Sequence, residues 1–369
     1  MNSFTGKTVV ITGASSGIGR LTALCFAKQG AKLGLIARSR DGLGTLAAEV
    51  KDLGGRSYVF PMDVTDAEGM KRAADHIAQE FGGIDIWINN AGTSIYGLDS
   101  EISLDDFKRV MDVNFYGQIY GARAALPHLE KSSGQLIGIL SVESEIGVPF
   151  SASYSASKHA LYGYYKSLYT ELLYEHSNVK LSTILPSSFA TPLFKHAKTQ
   201  LGVEPAPIPP TYHPQLVVNA IMKVCEKPRF STVVGGFGKN AIFMQRRFPE
   251  TFLHLQSWYA SHLQKTSKPK TPDQPNNLYD PVPGTSNVFG GMKPSRVANF
   301  METGGKWIVR GLVFAGVVAL FERRRRILAE LEGEGLTIPM PMSGYQPAPP
   351  PYPSAPPAAT GDEMNPEVA

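Results

Sequence analysis

Seven short apolar runs, separated by stretches long enough for helices, constrain this chain more than any other feature. In order they read "KTVVIT", "AKLGLIA", "SYVF", "IDIWINN", "GQLIGIL", "VKLSTIL" and "FSTVVGG", all before about residue 238. Such short, continuously apolar runs fit strands buried on both faces. Parallel strands need crossovers of a dozen or more residues, and the intervening segments supply them. The expectation is an α/β fold with a parallel sheet covered on both sides by helices.

Composition agrees with such a core, at 43% hydrophobic and 18% charged residues in 369. A net charge of +4 is too mild to suggest nucleic-acid binding. Two cysteines, Cys25 and Cys225, give no disulfide framework and suit a reducing compartment. The opening "MNSFTGKTVVITG" has no basic region followed by an apolar stretch, so no signal peptide is expected and a cytoplasmic location is. No metal-ligand cluster stands out.

The organisation read from composition is a catalytic domain over 1–238, then an amphipathic, aromatic-rich helical extension over 239–264. Residues 265–305 form a segment rich in Pro, Gly and Asn, expected to be irregular; 306–331 read as an apolar-basic helix; 332–369 form a Pro-rich tail expected to be disordered.

The first strand runs into "VVITGASSGIGR", placing Gly13, Ser15, Ser16, Gly17, Ile18 and Gly19 at a strand-to-helix turn. Glycines there permit a tight turn and close approach of a pyrophosphate to backbone N–H groups at a helix N-terminus. The second strand ends "LIARSRD". A ribose 2′-phosphate wants a cation at this place, whereas a plain 2′-hydroxyl is usually read by a carboxylate. Arg38, followed by Ser39, meets that need, and Asp41 is expected to be the N-cap of the next helix. NADP(H) is therefore expected over NAD(H).

"YSASKHALYGYYK" holds Tyr-x-x-x-Lys twice, as Tyr154–Lys158 and Tyr162–Lys166. Each pair shares a helix face. Eight helical residues advance about 12 Å and turn about 80°, so the two pairs cannot serve one site. A free phenol, with a pKa of about 10, exchanges protons poorly near neutrality. A neighbouring ammonium should lower that value.

Taken together, "TGASSGIG", "NNAG", a Ser ending a strand and Tyr-x-x-x-Lys resemble the shorter, non-extended branch of the short-chain dehydrogenase/reductase superfamily over about residues 5–238. The resemblance implies a Rossmann-type doubly wound sheet, order 3-2-1-4-5-6-7, and a homo-oligomer. In that family the catalytic Tyr follows the Ser by about thirteen residues, which matches Ser141 and Tyr154. Tyr162, Tyr164, Tyr165 and Tyr169 are then packing residues, and Ser144 a loop hydroxyl. The implied catalytic set is Asn114, Ser141, Tyr154 and Lys158. Ser141 would hold the substrate oxygen, Lys158 would lower the Tyr154 pKa and bind the nicotinamide ribose, and Asn114 would hold a relay water. Asp63 and Val64 would bracket the adenine; Asn90, Ala91 and Gly92 would line the cleft; Pro186 and Thr191 would meet the carboxamide. One departure is Ser187, where the family usually has Gly after Pro186.

The segment 192–213, with Phe194, Leu201, Val203 and Ile208, suggests an apolar carbonyl or alcohol substrate. The expected function is an NADP(H)-dependent oxidoreductase with Tyr154 as general acid and base. A non-catalytic NADP-sensing or membrane-scaffolding protein is the alternative. Residues 306–326, "KWIVRGLVFAGVVALFERRRR", fall short of the about 20 apolar residues of a spanning helix. If they crossed, Arg323–Arg326 would face the cytoplasm and the NADP domain would lie on the other side. The preferred reading is an interfacial helix making peripheral contact with anionic lipid at the inner face of a membrane. A core or oligomer-contact helix and a true span stay open.

Overall fold

The structure is a computed structural model describing residues 4–284, 286–291 and 293–295. The chain divides into the units Met1–Gly305 and Lys306–Ala369, and every described residue lies in the first. The expected helix over 306–331 and the Pro-rich tail lie outside the described residues.

The seven apolar runs form one parallel sheet: β1 (Thr8–Thr12), β2 (Lys32–Ala37), β3 (Arg56–Pro61), β4 (Ile86–Asn89), β5 (Gln135–Ile139), β6 (Lys180–Pro186) and β7 (Ser231–Val234). Their spatial order is 3-2-1-4-5-6-7, the doubly wound arrangement expected. At the centre, Val10 of β1 pairs with Gly34 of β2 and Trp87 of β4. Alternation along β1 splits the core. Val9 and Ile11 enter one apolar layer with Leu33 and Leu35, while Val10 enters the other with Ile36 and Trp87. Both layers are needed because these strands are apolar on both faces.

Helices α1 (Gly17–Ala27), α2 (Arg40–Asp52), α3 (Ala67–Phe81), α4 (Leu104–Met111), α5 (Gly117–Ser132) and α6 (Ala152–Tyr174) supply the cover. The short α7 (Leu193–His196) and then α8 (Gln215–Glu226) follow β6. Asp41 is not the cap of α2. Ser39 is the N-cap, its Oγ accepting from Gly42 N at 3.0 Å, and Asp41 sits in the first turn. A hydroxyl three residues before the amide closes this bond, whereas Asp41 lies too far inside the helix.

Residues 112–116 join α4 to α5 through a π turn, and Asn114 lies in it. Such wide turns recur at functional sites. The aromatic extension is two helices, α9 (Gly236–Arg247) and α10 (Pro249–Leu263), broken where Pro249 starts the second. Lys265–Pro269 then pairs antiparallel with Val203–Pro205, tying the extension to the segment after β6.

The extra tyrosines of α6 pack. Tyr165 is fully buried, donating from its hydroxyl to Gln118 Oε1 at 3.0 Å and accepting from Asn89 Nδ2 at 3.1 Å. Lys166 Nζ sits 3.9 Å from the centre of the Tyr162 ring, which stacks on Phe230.

Candidate active site

One cavity, of about 250 Å³, opens beyond the C-terminal ends of β1, β4, β5 and β6. Doubly wound sheets leave such a crevice where the strand order reverses. Its walls gather Gly13, Ser15, Ser16, Gly17, Ile18, Arg38, Ser39, Asp63, Val64, Asn90, Ala91, Gly92, Ser141, Tyr154, Lys158, Pro186 and Thr191. Among the predicted site residues, Gly19 and Asn114 are not on those walls.

Both stand behind the wall and shape it. A Cβ on Gly19 would lie 2.3 Å from Gly13 O, so no larger residue fits the turn. Gly13 itself holds φ +65° and passes within 2.8 Å (from a notional Cβ) of Ala91 Cα. Asn90 fixes that approach, its Nδ2 donating to Thr12 O at 2.9 Å, while Asn90 N donates to Thr12 Oγ1 at 2.9 Å. Both amide hydrogens of Asn114 are used. It accepts from Thr93 N at 2.8 Å and donates to Thr93 O and Ser157 Oγ, each at 3.0 Å. A relay water could therefore only donate to Oδ1 or use the backbone.

At the other end of the cavity, β5 hands over to a short 3₁₀ turn, Val142–Ser144, with Ser141 as its cap. Ser141 and Tyr154 line the same wall, and Ser141 favours the ionised form of the Tyr154 phenol. Lys158 follows one turn along α6, its Nζ donating to Ile139 O at 3.1 Å and lying 5.5 Å from the Tyr154 ring centre. Ser144, in the same 3₁₀ turn, is buried, and its Oγ has no hydrogen-bond partner among the described residues.

The electrostatics differ from the expectation. Burial pushes the Tyr154 phenol above its ordinary value, and the charge of Glu143 pushes it further; the Ser141 hydroxyl acts in the opposite sense. Lys158 is not among these influences. Burial lowers the Lys158 ammonium to about 8, with Glu143 opposing that shift. The reason lies in geometry: the amine is hydrogen-bonded to a backbone carbonyl, and both groups are buried in a medium that penalises their charged forms.

Sequence reasoning missed four parts of this cavity. Glu143 sits two residues after Ser141 and lines the wall, a spacing that could have flagged it. Tyr96 and His196 also line it, and burial, then the charges of Lys195 and Lys270, lower His196 to about 4. The fourth part is the segment expected to be an irregular extension. Asn277, Pro281, Val282 and Ser286 form one side of the cavity. Arg38 donates to the carbonyls of Asn277, Leu278 and Tyr279, and Gly17 N donates to Asn287 O at 2.9 Å. Nothing local in the sequence signals contacts between residues about 240 apart.

Leu278 anchors this strap. It is fully buried with Ile95, Ile102 and Val110. Leu278→Ala removes contacts costing about 2–5 kcal/mol. The expected result is rapid cleavage within 277–291 by a protease dose that leaves the parent intact, read by mass spectrometry; equal resistance would show the anchor is dispensable.

Residues 7–202 match the family model described as short chain dehydrogenase. The chain belongs to the short-chain dehydrogenase family. It is 32% identical over 324 residues to an uncharacterized oxidoreductase, YxnA, of Bacillus subtilis (strain 168), covering 86% of this chain and 91% of that protein. Estradiol 17-beta-dehydrogenase 11 of Pongo abelii is 35% identical over 223 residues, 60% of this chain and 72% of that one. Among solved structures, an alcohol dehydrogenase from the archaeon Thermococcus sibiricus, complexed with 5-hydroxy-NADP, shares the fold. Its TM-score is 0.55 at 24% identity, covering 62% of this chain and 95% of that one.

In this short-chain dehydrogenase, Ser187 replaces the family's usual glycine without opening the turn. Its N–H donates to Val234 O at 3.0 Å, and its side chain rests against Gly235 and Gly238. Of the apolar residues expected near the substrate, Phe194 reaches the cavity and stacks on Tyr96, ring centres 5.9 Å apart. Leu201, Val203 and Ile208 are not on its walls. No helix among the described residues is long and apolar enough to cross a membrane, and 306–326 lies outside them.

Proposed function

We propose that this chain is an NADP(H)-dependent oxidoreductase that interconverts a carbonyl and an alcohol on a small molecule with an apolar body. The observation that carries the reading is one cleft with two ends: the glycine turn at one, and Ser141, Tyr154 and Lys158 together at the other. The donor set fits a dinucleotide. Ser16 makes no side-chain capping bond at the start of α1, so the N–H groups of Ile18 and Gly19, beyond the Gly17 N–H that Asn287 O takes, suit a pyrophosphate. Asp63 and Val64 stand beside the adenine end, and Arg38 is the candidate reader of a 2′-phosphate. A bound nicotinamide would supply or accept the hydride at the reacting carbon.

The chain's own groups handle the oxygen and its proton. Ser141 positions the substrate oxygen beside Tyr154, which donates a proton in reduction and accepts one in oxidation. A phenol held above its ordinary pKa is neutral near pH 7, the form that donates. Oxidation needs the phenolate, so the oxidative rate should rise with pH. Tyr96 and Phe194 form the apolar wall.

Fluorescence titration tests the cofactor reading. A guanidinium carries five N–H donors, so Arg38 keeps some beyond its carbonyl bonds. Arg38→Ala is expected to weaken NADPH binding by about 10- to 100-fold, as for hydrogen bonds to a charged group, while NADH changes by less than about threefold. Equal weakening of both would remove Arg38 from cofactor choice.

A further inference from the structure

The carboxyl group of Glu143 has no role in the reaction just described, yet it lines the cavity beside Tyr154 and Lys158. It is held in a fixed pose. Ser151 Oγ donates to its Oε2 at 2.8 Å and Ser155 Oγ donates to the same oxygen at 2.6 Å. Ser151 is fully buried, and Val148 O lies 3.1 Å from the same Oγ as the competing acceptor for its one proton. Oε1 has no hydrogen-bond partner among the described residues.

A half-satisfied carboxyl group in a cavity dictates what can fill it. A substrate wholly apolar at this point would strip water from Oε1 and return nothing, a penalty enzymes avoid in a binding pocket. An ammonium on the substrate would meet the charge of Lys158, the cation already facing Glu143. A hydroxyl suits the site whether the carboxyl group is ionised or protonated, accepting or donating as needed. That tolerance matters here because burial raises Glu143 to about 7, opposed by Ser155, Ser151 and Lys158. The other ionisable neighbours, Tyr154 and Tyr96, stay neutral, since burial and Glu143 both push their phenols up.

We propose that Glu143 is a specificity-determining residue that selects a substrate carrying a second hydroxyl, which bonds Oε1 while the reacting carbonyl faces Tyr154. The substrate class is a hydroxy-carbonyl compound, or the matching diol, with its apolar body against Tyr96 and Phe194. This deepens the oxidoreductase reading and rests on it.

The test compares matched probes in the full chain saturated with NADPH: cyclohexanone against its 2-, 3- and 4-hydroxy derivatives. Cyclohexanol and the corresponding diols are titrated in parallel by calorimetry with NADP⁺. In the parent, one hydroxylated position should be favoured by about 10- to 100-fold in kcat/KM and in diol affinity. Glu143→Leu should bring that ratio to one or invert it, and Glu143→Gln, which keeps an acceptor of the same shape, should retain most of it. Thermal melts of both variants check the fold. Turnover of plain ketones with no hydroxyl preference, or an unchanged ratio in Glu143→Leu, overturns this proposal and leaves the oxidoreductase reading standing. Failure to bind NADPH, with no turnover of any probe, overturns both.

Discussion

Tyr154→Phe should lower kcat by about 10³-fold while leaving the dissociation constant of NADPH within a few-fold of the parent. The substitution removes one oxygen and keeps the ring. The glycine turn, Arg38 and Asp63 are untouched, so the dinucleotide end of the cleft is unchanged. Single-turnover absorbance of NADPH with a reactive aldehyde measures the loss, and fluorescence titration measures the binding. The two readouts separate a proton-transfer role from a structural one. If turnover fell less than tenfold, the proton would have to come from elsewhere in the cavity, with Glu143 the nearest remaining acid.

Lys158→Met should abolish most activity and, at pH 7, stabilise the fold. Lys158 is buried, donates to a single backbone carbonyl, and has Glu143 as its only charge of opposite sign among the influences on it. Burial lowers its pKa from an ordinary 10.5 to about 8, which means that the folded state resists its charge. The sign follows directly. Below about 8 the amine is charged in both folded and unfolded chains and its full penalty is present. Between about 8 and 10.5 the folded state sheds the proton first, and the penalty fades. Methionine, of similar length and uncharged, avoids it. The expected gain is about 1 kcal/mol, or about 2 °C in Tm, at neutral pH, shrinking towards zero near pH 10.5. Melting curves at pH 7 and pH 10 check it. A variant less stable at pH 7 would show that the ammonium is stabilising in place. Loss of function together with a gain in stability would mark Lys158 as a residue retained for chemistry.

The opposing effects on Lys158 also show where legibility stopped. That only one pair on α6 can serve the cleft was readable, because the two are about a quarter turn and 12 Å apart, and the family resemblance, through the thirteen residues from Ser141, pointed to Tyr154. That the ammonium would fail to depress the phenol was not readable. Spacing reports which groups share a helix face, whereas a pKa depends on burial and on bonds such as that to Ile139 O. Likewise, the sequence pointed to Asp41 as the cap of α2, and the backbone geometry gives that place to Ser39.

By itself the sequence determined the sheet, its strands and the gathering of the glycine turn, Ser141 and Tyr154 at one edge. Apolar runs of strand length and the spacing of residues within a turn or a helix are local, and a parallel sheet brings its strand ends together whatever fills the gaps. Only the tertiary structure decided that Glu143 enters the cavity with one oxygen clamped, that Asn277, Leu278 and Tyr279 meet Arg38, and that Asn287 meets Gly17. Those contacts join residues far apart in the chain, or turn on the burial of a single carboxyl group, and neither leaves a period or a spacing to read.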